Sequence, residues 1–183
     1  MKWVTRDFVH IDRVAGPWLI RRFIDPDAVF VLLPSASPGS PPEDAIPFGL
    51  PGVELSAHDA DGSTFRKIMN KYGLSTPALA MLADLIEDAI RFFLDEKLHG
   101  GGDIAKLRFV EAPGLVTLSE GMLYAMPDDQ VNLDRSMAIY DALYASCQVK
   151  LLEEQAPEDA KGPPFKVVPL LRRRLEPPPY PAS

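Results

Sequence analysis

The chain is poor in the residues that most often carry chemistry. It has one cysteine, Cys147, and three histidines, His10, His58 and His99, among 183 residues. A lone cysteine excludes an internal disulfide and a cysteine zinc cluster, and it fits a reducing cytoplasm. No apolar run reaches the roughly 18 residues of a membrane span, and the opening MKWVTRDFVH lacks the unbroken apolar stretch of a secretory signal. Positive charge is also scarce. Nineteen Lys and Arg against 26 Asp and Glu give a net charge of -7. That argues against nucleic acid as a partner, because phosphate binding needs a basic surface, but it leaves room for a local basic pocket. Gly-rich phosphate loops, a Gly-x-Ser-x-Gly elbow and a Cys–His nucleophile pair are all missing. These absences leave a cytoplasmic protein with no membrane and no nucleic acid among its partners.

What is present is ordinary globular material: 46% hydrophobic and 25% charged residues, in a length that suits one domain with a real core. KWVTRDFVH alternates and predicts a strand over residues 2–9. The next segment, Asp12 to Ile24, has helical spacing. Gly16-Pro17 is awkward within it, so the helix starts either near Asp12 or near Pro17. AVFVLLP, residues 28–34, reads as a strand buried on both faces. PSASPGSPPEDAIP is a turn-rich loop whose prolines oppose regular structure, and GVELSAH, residues 52–58, reads as a third strand. Helices follow over 64–73, over 75–97, from about Glu111 or Pro113 to Ala125, and over 128–155. On the second of these Leu79, Leu82, Ile86, Ala89, Ile90 and Phe93 form the apolar face, with Asp84 and Asp88 opposite it. The last helix turns Met137, Tyr140, Leu143, Tyr144 and Cys147 inward. The expected fold is α+β: a predominantly helical single domain with a small sheet of about three strands. The domain spans 1–155, and a Pro-rich extension spans 156–183. In that extension FKVVPLL either adds an edge strand or lies on the body, and EPPPYP favours an extended conformation. The Arg172–Arg174 run is too short to argue for nucleic acid.

Three constellations carry the functional reading. His10 and His58 each close a predicted strand, where ligands of mixed sheets gather, and each has acids nearby: Asp12, Glu54, Asp59 and Asp61. Two neutral imidazoles with one or two carboxylates make a ligand set for a divalent ion. The competing structural reading is strand-end capping, because the two histidines have no diagnostic spacing. Next, Arg13, Arg21 and Arg22 with Trp18 can wall an anion pocket, since guanidinium forks match oxyanions. Arg21 and Arg22 point about 100° apart on a helix, so one of them follows the solvent or pairs with Asp25. Third, Glu87 flanks the apolar stripe of its helix and can turn toward a pocket, whereas Asp84 and Asp88 read as a solvated face. His99, beside three glycines, reads as a solvated loop residue.

HIDRVAGPWLIRRFIDPDAVF resembles the signature opening of the chromate-resistance protein family, the C-terminal domain of the B-type chromate-resistance protein. VELSAHDADGSTFRKIMNKYGL, PALAMLADLIEDA and MAIYDALYA are similar to further segments of that family. The likeness covers about residues 2–146 and leaves out the tail from Gln148. It implies a role in chromate resistance, or in sensing an oxyanion or metal, and lends weight to His10, Asp12, Arg13, Trp18, Arg21, Arg22 and His58. The chain departs from the family at Gly16, where many members carry Cys or Ser, in the Gly-Ser-Thr segment, where many carry Cys, and at Glu87-Asp88, where many carry His-Asp. Thiol reduction of chromate at those positions is therefore not open to it.

Two functions are expected from these readings. One is a metal-dependent enzyme, a lyase, hydrolase or oxidoreductase, acting on a small anionic molecule. There His10, His58 and either Glu54 or Glu87 would hold Mn, Fe or Zn, Arg21 or Arg22 would bind the anion with Arg13 and Trp18, and Asp12 would serve as a base. The other is an oxyanion or metal sensor, or an accessory protein, without turnover. A scaffold using its proline tail is the third reading, and a homo-oligomer is left open by all of them.

Overall fold

The computed structural model describes residues 1–36 and 39–180. Six α-helices among the described residues surround a small parallel sheet, a helical α+β fold. Strand β1 (Lys2–Arg6) is central, with β2 (Val29–Leu33) on one side and β3 (Ile46–Pro47) on the other, in the order β2-β1-β3. Lys2 pairs with Val29 through to Arg6 with Leu33, and Trp3 with Ile46. Trp3, Val4 and Thr5 of the central strand are wholly buried, whereas β2, the strand expected to be buried on both faces, lies at the sheet edge with only Phe30 buried and Val29 exposed.

Helix α1 (Asp12–Phe23) links β1 to β2 as a crossover and starts at Asp12, not at Pro17. Pro17 lacks the N–H that would reach the Arg13 carbonyl, yet the helix continues through it. Residues 14–20 are all buried, so packing on this face overrides the proline penalty. Helix α2 (Thr64–Lys71) begins at Ser63, whose hydroxyl accepts from the Arg66 amide at 3.2 Å. Helix α3 (Pro77–His99) has Thr76 as its cap and Pro77 in its first turn, and it stops at Gly100, whose φ of 75° is left-handed. Helices α4 (Ala112–Ala125) and α5 (Asp129–Gln155) complete the domain, with Asp128 capping α5 through the amides of Gln130 and Val131. Met137, Tyr140, Tyr144 and Cys147 of α5 are buried and Leu143 packs against the same core, which follows the expected inward face.

Four further expectations are corrected. The first strand ends at Arg6 and not at residue 9, because Phe8 and Ile11 adopt left-handed φ values of 54° and 45°. Residues 52–58 form no strand; only Leu55 makes a bridge, to Phe48. The third strand is instead the end of the proline-rich loop, where Pro47 is tolerated at a sheet edge. The stretch of that loop at residues 37–38 lies outside the described residues. The third correction concerns Asp88, which is buried, not solvated: one carboxylate oxygen accepts from the Arg108 and Phe109 amides and ties the loop that follows α3 back onto that helix. Finally, of the two readings of FKVVPLL the edge strand is overturned: the segment lies in helix α6 (Pro164–Arg172), which buries Leu171. Beyond it the Gln148 amide exchanges two hydrogen bonds with the Glu176 backbone, at 2.9 and 2.7 Å.

Candidate anion pocket

The connection from β1 runs to β2 on one side, while β3 lies on the other. The C-terminal end of β1 is therefore a switch point in the sheet, the place where open parallel sheets make crevices. A cavity of about 220 Å³ opens there. Arg6, the last residue of β1, lines it with His10, Asp12 and Arg13 from the start of α1. Gly49, just after β3, and His58 and Thr64, just before and at the start of α2, close the second side. Ile90, Phe93 and Leu94 of α3 form the third.

The turn that carries His10 is held in an uncommon conformation by side chains from two helices. The Phe8 and Val9 amides donate to the Asp129 carboxylate at 2.8 and 3.0 Å. The Ile11 amide donates to the Ser119 hydroxyl at 2.7 Å, and the Asn132 amide donates to the Val9 carbonyl at 3.0 Å. Left-handed φ at a bulky residue costs about 1–3 kcal/mol and persists only where neighbours over-determine it. Here they do, and the result is a fixed position for His10.

On the opposite wall Asp12 acts as a capping group in trans. Its two oxygens accept from the Thr64 and Phe65 amides at 2.7 and 2.9 Å, at the N-terminus of α2. Burial pushes its carboxyl above the ordinary value, against the pull of those amides. The His58 loop is fastened to the same helix. Thr64 donates its hydroxyl to the Ser56 carbonyl at 2.9 Å, and the Lys67 ammonium donates to the Ser56 hydroxyl and the Ala57 carbonyl at 2.8 and 3.0 Å. Gly49, with φ of +61°, lets its backbone pass close by: an added Cβ would sit 3.2 Å from the Thr5 hydroxyl and 3.6 Å from Arg13 Cγ.

The electrostatics of the cavity are cationic. Neither Arg6 nor Arg13 forms an ion pair among the described residues; Arg13 donates to the Phe8 carbonyl at 3.2 Å, and Arg6 Nε is buried without a partner. Burial first, and the Arg6 charge second, lower the Arg13 pKa, opposed by Asp12, Asp7 and Asp129; the guanidinium stays protonated. His10 and His58 each have a buried Nδ1 with no hydrogen-bond partner among the described residues. No hydrogen bond at Nδ1 fixes either tautomer, so each ring can present an N–H to a bound anion. Burial, then Arg13, lowers the His10 pKa.

The structure thus gathers His10, His58, Asp12 and Arg13 from the residues singled out in the sequence, and it disperses the others. Trp18 is wholly buried, and its indole N–H donates to Asp141 at 2.8 Å. Arg22 grips the same carboxylate with two bonds of 2.9 Å. Arg21 pairs with Asp134 at 2.7 Å and lies 5.0 Å over the Phe30 ring. These three fasten α1 to α5 and do not line the cavity: carboxylates of Asp134 and Asp141 take the two guanidiniums and the indole N–H. Glu54 is exposed and paired with Lys71. Glu87 takes the Arg66 fork at 2.6 and 2.9 Å and accepts from the Ser63 amide; burial, the largest single influence, would raise its pKa, but Arg66 and Ser63 together lower it. Neither glutamate lines the cavity. With Asp12 committed to two amides, the donors do not fit an ion held by two imidazoles and a carboxylate. No group of three or more His, Cys, Asp or Glu suited to a metal occurs among the described residues. Arg6 was missed in the sequence. The signal was its place as the last residue of the central strand, on the same end as His10.

Fold and cavity together define a helical α+β domain with a cationic pocket at the C-terminal end of its central strand. The chain belongs to the ChrB C-terminal domain family, the chromate-resistance family its sequence resembles, with residues 3–147 matching. It is 34% identical over 144 residues to Protein ChrB of Cupriavidus metallidurans (strain CH34), an alignment covering 78% of this chain and 40% of that protein. The chain therefore spans about two fifths of the length of that curated relative. No solved structure gives a significant match. No helix among the described residues is long and apolar enough to cross a membrane.

Proposed function

We propose that this domain is an anion-binding module of the chromate-resistance family and that its pocket takes an oxyanion. The carrying observation is the pair of guanidinium groups, Arg6 and Arg13, on one cavity with no ion-paired carboxylate among the described residues. Each presents donors in a fork that suits a tetrahedral oxyanion. His10 and His58 add ring N–H donors to the same cavity. A partly buried cavity strengthens these contacts relative to water. Chromate is such a dianion, and membership of the family supports it as one occupant. The binding reading is preferred over a metal-dependent enzyme because the acids needed to complete a metal site are engaged elsewhere, in Arg66, in Lys71 and in the α2 amides.

The test is thermal unfolding in metal-chelated buffer with chromate, sulfate or phosphate added. A ligand of the folded state raises the midpoint with concentration by mass action. A rise without metal, absent in Arg13→Gln, is the expected result. If no anion raises the midpoint, or if a rise appears only when a divalent metal is restored, the binding-module reading is wrong.

A further inference from the structure

The cationic groups occupy only part of the cavity wall. Resting on the anion reading above, we infer that the anion this pocket is shaped for carries a compact apolar group, about the size of a ring, on its oxyanion head. The apolar part of the wall comes from α3. Ile90, Phe93 and Leu94 stand at i, i+3 and i+4, so they share one helix face. That face abuts the cationic side directly: the Phe93 ring meets the His10 imidazole edge-on, with centroids 5.0 Å apart. Ala57 and Ile11 extend the apolar lining toward His58 and Asp12. Leu94 is 39% exposed and Leu98, one turn on, is 70% exposed, so the apolar stripe continues outward along α3.

Size argues the same way. An apolar cavity of about 150 Å³ accepts benzene, and this one measures about 220 Å³. A bare inorganic tetrahedron has no surface to set against Phe93 and Leu94. It would leave that wall facing trapped water or a gap, and lining atoms without partners forfeit their dispersion contacts. A molecule with an anionic head toward Arg6 and Arg13 and a ring or branched alkyl body toward α3 satisfies both halves. That pattern, apolar walls with a few convergent polar groups, is how small-molecule sites are generally built. The class named is therefore an organic carboxylate, sulfonate or phosphonate with one compact apolar substituent.

The experiment uses matched pairs by isothermal titration calorimetry: phenylphosphonate against phosphate, and benzenesulfonate against sulfate, on the full chain. The aryl member should bind at least about tenfold tighter, the order expected when a ring leaves water. Leu94→Gln, at a partly exposed position that tolerates a polar group, should narrow that ratio. Phe93→Ala should narrow it further, with circular dichroism and the unfolding midpoint confirming that the variant is folded. Equal affinity within each pair, or a ratio unmoved in folded Phe93→Ala, overturns the apolar-body inference and leaves the anion reading standing. If neither member of any pair binds, or if both bind undiminished to Arg6→Gln/Arg13→Gln, the anion reading fails and the inference falls with it.

Discussion

The Tyr140 hydroxyl donates to the Ile11 carbonyl at 2.8 Å, in a fully dry position. The bond reaches from the middle of α5 to the turn that sets His10 and Arg13, so the last long helix of the domain helps shape a pocket at the end of its first strand. Burial pushes the Tyr140 phenol far above its ordinary range, so it remains a neutral donor at every working pH.

Tyr140→Phe keeps the ring and removes the donor, while the Ile11 carbonyl still accepts from the Val14 and Ala15 amides at 3.1 and 2.8 Å. The expected loss is about 0.5–1.5 kcal/mol of stability, the net worth of one hydrogen bond, read from urea denaturation. Anion affinity should also fall, because a left-handed Ile11 relaxes when one of its restraints is gone. An unchanged stability would show that water or a shifted backbone replaces the bond.

Asp141 makes the opposite separation. It serves the buried Trp18 indole and the Arg22 fork together, away from the cavity. Asp141→Ala should destabilise the domain by about 1–3 kcal/mol, since a largely buried guanidinium and an indole N–H lose their acceptor. Sulfate or phosphate affinity of the folded fraction should be unchanged. A selective loss of anion binding at full stability would return Trp18 and Arg22 to the functional site.

The pH dependence follows from His10, whose folded pKa lies below the free value of 6.5. Burial and Arg13 lower it, with Lys97 in the same sense, while its own backbone hydrogen bond and Glu120 oppose. Between that lowered value and 6.5 the unfolded chain binds the proton and the folded chain does not, so the His10 contribution to stability falls as pH drops below 6.5. An anion in the pocket raises the His10 pKa and removes part of that loss. Unfolding midpoints measured from pH 7.5 to 5 should drop in plain buffer and drop less with saturating phosphate, and His10→Asn should flatten the difference. Identical curves with and without the anion would exclude His10 from the site.

Cys147 is buried, and burial lifts its thiol to about 11, so it is protonated and shielded at neutral pH. Native protein should not react with a thiol reagent such as DTNB, and one equivalent should react after urea unfolding. Rapid native reaction would contradict this and reopen thiol chemistry with chromate.

Much of the fold could be read directly. The α3 apolar face, the Thr76-Pro77 start and the inward face of α5 all carry local signals strong enough to survive tertiary context; β2 forms where expected, but as an edge strand that is not buried on both faces. The failures share one cause: the deciding partner lay far along the chain. Residues 52–58 alternate like a strand, yet Ile46–Pro47 holds the place beside β1. Asp88 projects as solvated until the loop amides at 108–109 come down upon it. Trp18, Arg21 and Arg22 look like an anion wall until Asp134 and Asp141 fill their forks from more than a hundred residues away. His10 and His58 were singled out as strand-end imidazoles; neither ends a strand, yet both line one cavity. Arg6 was passed over because a single terminal strand residue carries no periodicity.

The most direct test is calorimetric titration of phosphate and chromate into metal-free protein, wild type beside the Arg6→Gln/Arg13→Gln double variant. The two guanidiniums supply the fixed charge of the pocket, so the wild type should bind one anion per chain, and the double variant should lose at least about tenfold in affinity while its unfolding midpoint stays close to that of the wild type. Equal binding by both proteins, or none by the wild type, would contradict an anion pocket at the end of β1.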